Sequence, residues 1–215
     1  MVKTNINIAD TQLNSKLVKN FLKSEELKGF YSFKNDIKNY EDLIKKRSSF
    51  PVDKRLLLHN IVVKQYKNIR SLGLVSKSID ALKNPKTFTI TTGHQLCLNT
   101  GPIYFFYKIL HCIKISVELK KTYPKYNFVP VFWMASEDHD FEEVSSINLF
   151  QNNIKWNASS GGPVGRMSLI GVEGLISQIT DLISPNDNSS KIIDLLKSSY
   201  RSEFNLAEAT RNIIN

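Results

Sequence analysis

Two β-rich runs separated by one long apolar segment constrain this chain more than anything else in it. Thr87-Phe88-Thr89-Ile90-Thr91 and Phe128-Val129-Pro130-Val131-Phe132-Trp133-Met134 consist largely of β-branched and aromatic residues, which favour strands. Between them, residues 102–120 form the most apolar helix-like stretch of the chain. Strand, helix and strand in that order make a βαβ crossover, which predicts a parallel sheet in an α/β fold. The nearly continuous second run predicts a strand buried on both faces. Each run leads into a loop of polar, titratable groups: Gly93-His94-Gln95 after the first and Glu137-Asp138-His139-Asp140 after the second. In open parallel sheets, ligands sit outside the carboxyl ends of the strands, so both loops are expected on one rim. That rim is the candidate active site.

The rest of the chain is arranged around it. Residues 1–85 read as a helical lead-in without chemistry of its own. Leu13, Leu17, Phe21 and Leu22 recur at helical spacing, Phe30, Tyr31 and Phe33 form an aromatic loop, and Asn39 resembles a helix cap. A longer helix is expected from Pro51 to Gly73, with Leu58, Ile61, Val62, Ile69 and Leu72 as its apolar stripe. A shorter helix over 76–82 stops before Asn84-Pro85. Residues 86–144 carry the first βαβ part. There Gly93 is expected to break the strand and Pro102 to open the crossover helix. Phe106, Leu110, Ile113 and Val117 should form its core face, opposite Lys108, His111, Lys114 and Glu118. The start of that helix favours an anion near Thr100 and Gly101. Residues 145–215 read as a hairpin and helical connecting segment. Its strands are expected at 145–150 and 154–157 around Gln151-Asn152-Asn153, followed by a loop, Ser159-Ser160-Gly161-Gly162-Pro163. Helices should follow over 171–183, over 191–200 and from Leu206 onward. Two parallel strands do not make a stable sheet alone, so the chain reads as incomplete at its C-terminal end.

Composition narrows the function classes. With 41% hydrophobic residues, the 215-residue chain can bury a sizeable core. No apolar run reaches membrane-spanning length, and Met1-Val2-Lys3-Thr4-Asn5 lacks the apolar centre of a signal peptide. Cys97 and Cys112 have neither metal-ligand spacing nor a disulfide framework, so a cytoplasmic location is expected. A net charge of +9 raises the question of nucleic acid. The lysines are scattered, however, and Lys45-Lys46-Arg47 is the densest run, which reads as a solvated surface.

Gly93-His94-Gln95 can donate hydrogen bonds to a phosphate or carboxylate. It lacks the Lys-Ser/Thr ending of a P-loop, and Gly93 to Gly101 does not match the dinucleotide fingerprint. Glu137-Asp138-His139-Asp140 can act as a metal site, a general base or a binder of an amine. The structural alternative is a solvated acidic loop with Asp140 capping a helix. Cys97 reads as packing. Arg166, beside Gly165, can grip a carboxylate or phosphate through two parallel hydrogen bonds.

Several of these stretches, in this order and spacing, resemble one family. They are Thr91-Thr92-Gly93-His94-Gln95, Thr100-Gly101-Pro102 with Lys108, Pro130-Val131-Phe132-Trp133, Glu137-Asp138-His139-Asp140-Phe141 and Gly162-Pro163-Val164-Gly165-Arg166-Met167. The family is that of the bacillithiol biosynthesis cysteine-adding enzymes (BshC, cysteine ligase), and the resemblance covers the whole chain. It implies a Rossmann-like, nucleotidyltransferase-like core, with more core and a coiled-coil dimerisation region in the longer members. It also implies a carbon–nitrogen ligase that joins the carboxyl group of cysteine to the amine of glucosaminyl-malate, in the last step of bacillithiol synthesis. ATP or ADP with Mg²⁺ are the implied cofactors and a homodimer the implied assembly. By the same resemblance His94, Glu137, Asp138, His139 and Asp140 are catalytic. Gly93, Gln95, Asn99, Thr100, Gly101, Lys108, Gly165 and Arg166 bind substrate or nucleotide, and no residue is assigned to a metal. The competing readings are a nucleotidyl-transfer or acyl-adenylate-forming enzyme acting on another amine, a basic nucleic-acid-binding module, and an inert structural fragment.

Overall fold

In the computed structural model the described residues are 4–33, 36–67, 69, 72–158 and 161–215. Ser159 and Ser160 of the expected loop, and Met1, Val2 and Lys3 of the leader reading, lie outside them. The chain divides into two compact units, Met1–Ser49 and Phe50–Asn215. The division falls inside the stretch expected as a single lead-in.

The first unit holds α1 (Lys16–Lys23) and α2 (Tyr40–Arg47). The Ser15 side chain caps α1 by accepting the Val18 N–H. In α2, Glu41 and Asp42 lie in the first turn and three basic residues in the last, matching the helix dipole. Phe21 meets Tyr31 edge-to-face at 5.2 Å, while Leu13 and Leu17 of the helical pattern are exposed.

The second unit begins with α3 (Val52–Tyr66) and α4 (Leu72–Ala81). The helix expected to run on to Gly73 stops at Tyr66, and Gly73 lies in the first turn of α4. Leu58 and Ile61 of the expected stripe are exposed, and the buried residue of α3 is Arg55. Its guanidinium donates to the carbonyls of Thr87 (2.9 Å) and Pro85 (3.3 Å). A charged side chain tied to main-chain carbonyls is invisible to a search for apolar periodicity.

The expected α/β arrangement follows. β1 (Thr87–Gln95) and β2 (Asn127–Ala135) pair in parallel, from Thr87 beside Asn127 to Gln95 beside Ala135. Gly93 does not break β1. It pairs with Trp133, and a Cβ there would stand 2.9 Å from the Trp133 carbonyl oxygen. The glycine therefore serves a close approach between strands rather than a turn.

The crossover helix is α5 (Tyr104–Thr122), which starts two residues after Pro102. Its buried residues are Phe105, Cys112, Ser116 and Leu119, whereas Phe106, Leu110, Ile113 and Val117 of the expected core face are exposed. Apolar residues lie on most sides of this helix, so periodicity alone did not select a face. On the buried side the Cys112 thiol donates to the Ile90 carbonyl at 2.8 Å. β2 is not buried on both faces: Val129 is buried, while Pro130 and Trp133 are exposed. Pro130 lacks an N–H, which suits a strand with a free edge.

Beyond the sheet come α6 (Phe141–Val144) and the antiparallel hairpin β3 (Ser146–Leu149) and β4 (Asn152–Lys155). The hairpin turn is Phe150-Gln151, with φ of 48° and 69°, rather than Gln151-Asn152-Asn153. Two positive φ values in a two-residue turn match the twist of the flanking strands. Then follow α7 (Val172–Leu182), α8 (Asp187–Ser199) and α9 (Leu206–Ile214). α8 starts earlier than expected because Asn186 and Ser189 form a reciprocal capping box, as Asn205 and Glu208 do for α9. The largest apolar core lies here. Leu96 and Leu98, which follow β1, are buried in it with Val144, Trp156, Leu169 and Leu206.

Candidate active site

The parallel register sets His94 beside Met134 and Gln95 beside Ala135, so both strands end at the same level. The loop after β1 and the loop after β2 therefore share one end of the sheet. The sequence put His94 and the Glu137–Asp140 run on one rim for this reason.

The β1 side is built from buried groups. His94 packs against the rings of Tyr104 (5.1 Å) and Phe105 (5.4 Å). Its Nδ1 lies 3.0 Å from the Gln95 carbonyl oxygen. A carbonyl can only accept, so Nδ1 is the donor in this contact. Cys97 Sγ is 4.0 Å from the same Nδ1. Burial, with the charges of Glu143 and Asp138, pushes the Cys97 thiol above its ordinary range. Cys97 is thus a protonated packing residue, and a poor nucleophile at neutral pH.

Downstream, Leu98 to Thr100 form a 3-10 turn. Asn99, Thr100 and Gly101 all have positive φ, at 47°, 71° and 64°. At Gly101 a Cβ would stand 2.5 Å from that of Cys97. The Asn99 N–H donates to the Tyr200 hydroxyl at 2.7 Å, and the Thr100 hydroxyl donates to the Asn99 carbonyl. Lys108, one turn into α5, donates to the Gly93 carbonyl at 2.7 Å and lies over the Tyr104 ring. It ties the helix start to the end of β1.

The β2 side is exposed and held by charge. Asp138 Oδ1 accepts the main-chain N–H groups of His139 (2.7 Å) and Asp140 (3.2 Å). The Gln95 amide foremost, and then these N–H groups, hold the Asp138 carboxyl below the usual aspartate range. Gln95 also donates to Glu143 Oε2 at 2.6 Å, so one amide bridges the two loops. The Asp140 carboxylate accepts the Glu143 N–H and caps α6, and Glu137 accepts the Trp133 indole N–H at 3.4 Å. His139 is exposed. Among the described residues, no three His, Cys, Asp or Glu side chains converge as metal ligands.

Gly165 and Arg166 reach the same rim from far along the chain. The Val164 N–H donates to the Asp138 carbonyl at 2.7 Å, and the Gly165 N–H to the Ser136 carbonyl at 3.1 Å. A Cβ on Gly165 would stand 2.5 Å from the Ser136 Cβ, so only glycine lets the two segments meet. Arg166 is exposed there, and its side chain has no hydrogen bond or ion pair among the described residues. Glu143, Ser136 and Tyr200 were missed from sequence. Glu143 could have been found as the end of the acidic run, but nothing local marks Tyr200.

Among the described residues, no helix is long and apolar enough to cross a membrane. The family described as "Bacillithiol biosynthesis BshC, N-terminal Rossmann-like domain" matches residues 1–215. A protein of Flavobacterium psychrophilum named "Putative cysteine ligase BshC" is 43% identical over 204 residues, covering 94% of this chain and 38% of its own length. Proteins of the same name from Flavobacterium johnsoniae and Cytophaga hutchinsonii are 42% and 37% identical, over 94% and 98% of this chain. The chain spans about 38% of the length of these curated relatives.

Proposed function

This chain belongs to the bacillithiol biosynthesis BshC family, as its N-terminal Rossmann-like domain, and we propose from that premise that its rim is part of a cysteine ligase site. In the complete protein the reaction is amide formation between the carboxyl carbon of cysteine and the amine of glucosaminyl-malate. The protein would work in the cytoplasm as a homodimer. The carrying observation is the parallel register, which brings His94 and the Asp138 loop to one end of the sheet.

The amine must lose a proton to attack, and a carboxylate oxygen must leave. Asp138, with its lowered pKa, is a weak proton acceptor and serves better to hold the substrate ammonium, with Glu137 beside it. The exposed imidazole of His139, on the same loop, is the group that takes the proton. Asp140 and Gln95 fix the loop on which both stand. On the opposite side His94, Thr100, Gly101 and the first turn of α5 face the anionic, activated carboxyl group, and Arg166 holds the malate carboxylates. Lys108 keeps that helix start against Gly93. The residues fit an ATP phosphate chain in one respect: the start of a helix stands at the rim. ATP with Mg²⁺ would supply activation of the carboxylate, held at the start of α5.

The test incubates the full-length protein with cysteine, glucosaminyl-malate and ATP, with and without Mg²⁺, followed by mass spectrometry. Bacillithiol together with AMP or ADP is the expected result. Folded protein that makes none overturns the reading, and full activity in His94→Ala/Asp138→Ala overturns the residue assignment.

A further inference from the structure

We propose that Asn99 reads neighbouring hydroxyls of a sugar through its side-chain carboxamide, and that Tyr200 is the positioning residue that holds it there. The inference rests on the rim being a substrate site.

Two independent observations carry it. The first is the carboxamide itself: Asn99 Oδ1 and Nδ2 are both buried and have no partner among the described residues. Buried polar atoms are nearly always paired, and an amide can donate twice and accept twice. The neighbouring groups are spent locally, with the Thr100 hydroxyl on the Asn99 carbonyl and the Gly101 N–H on the Leu98 carbonyl. Asn99 as a residue keeps partial exposure, so the carboxamide lies just below the surface. An orphan donor beside an orphan acceptor matches a group that offers both side by side, as adjacent sugar hydroxyls do. A simple anion, which only accepts, would satisfy half of it.

The second observation is how the residue is held. Asn99 and Thr100 are both at positive φ, which asparagine tolerates but a β-branched threonine adopts only when the surrounding structure holds it there. Part of that hold comes from Tyr200, 101 positions away, whose buried hydroxyl accepts the Asn99 N–H at 2.7 Å. Without that acceptor the N–H would be stranded in the interior, and the loop would lose its reason to stay left-handed.

Two sugars are present in the proposed reaction, the glucosaminyl unit and the ribose of the nucleotide, and the kinetics separate them. The experiment uses full-length protein with Asn99→Gly, Tyr200→Phe and the double variant. It measures KM for glucosaminyl-malate and for ATP separately, and hydrogen exchange over residues 97–101. Glycine tolerates the positive φ but lacks the amide. Asn99→Gly should therefore raise one of the two KM values roughly tenfold, the loss of one or two hydrogen bonds, with kcat little changed and the loop still protected. Tyr200→Phe should raise the same KM and also speed exchange at Asn99, and the double variant should add little. The KM that moves identifies the sugar.

Unchanged KM values in Asn99→Gly overturn the proposal, as does a Tyr200→Phe protein with unaltered KM and unaltered exchange. If the wild type makes no bacillithiol, the ligase reading fails on its own. Calorimetric titration of glucosaminyl-malate and of ATP into the same proteins then decides between binding through Asn99 and no role for it.

Discussion

The two loops of the rim are held in place by opposite means. The loop after β1 is anchored by burial: Leu96 and Leu98 are fully enclosed in the C-terminal core, and the turn between Leu98 and Gly101 is forced to positive φ. The loop after β2 is exposed, unstrained at Glu137 to Asp140, and tied by N–H groups converging on the Asp138 carboxylate. One half is set by packing, while the other is set by charge. Gln95 and Gly165 join them. The rim is thus a fixed wall facing an adjustable one.

The largest test of this contrast removes the anchor. Leu98→Ala should destabilise the chain by about 2–5 kcal/mol, because a fully buried leucine leaves a cavity. Leu110→Ala, on the exposed side of α5, should stay within about 0.5 kcal/mol in the same urea titration. Equal losses would show that the wall is not built by burial.

A smaller effect is expected at the join. Gly165→Ala should cost about 1–3 kcal/mol, because its methyl would press on Ser136 Cβ and the Ser136 carbonyl oxygen. Gly161→Ala, with nothing within 4 Å of the added methyl, is the control and should be near neutral. If both behave alike, the strap between Ser136 and Gly165 is not a true contact.

The smallest effect sharpens the adjustable side. The Asp138 carboxyl is held below its ordinary value, so its contribution is fully present above the unfolded pKa of about 3.9 and is lost as pH falls through the lower folded value. Urea midpoints measured from neutral to acid pH should fall more steeply below pH of about 4 for the wild type than for Asp138→Asn. Parallel curves would remove Asp138 as the charge that organises this loop.

Local chemistry made the frame of this rim readable from sequence. β-branched runs, a long apolar helix and the polar residues after each strand announced β1, α5, β2 and the shared end of the sheet. Contacts between distant segments were not readable. The buried side of α5 was misassigned because Phe106, Leu110, Ile113 and Val117 are as apolar as a core face should be, and only packing against the sheet selects Phe105, Cys112, Ser116 and Leu119 instead. Gly93 looked like punctuation because its real constraint, the Trp133 carbonyl, lies on another strand. Nothing local marks Arg55, because its partners are carbonyls 30 and 32 residues away. Periodicity reports on neighbours in the chain, and these residues answer to neighbours in space.

The hydrogen bond from Asn99 to Tyr200 also sets a time as well as a place. A chain made from its N-terminus emerges with Asn99 first, and the acceptor follows 101 residues later. At about 5–20 residues per second, that leaves the turn without its partner for roughly 5–20 s. During that interval β1, α5 and β2 can already pair, so the sheet is ready before the turn is fixed. Helices made later in the chain therefore complete a part of the rim that was synthesised earlier.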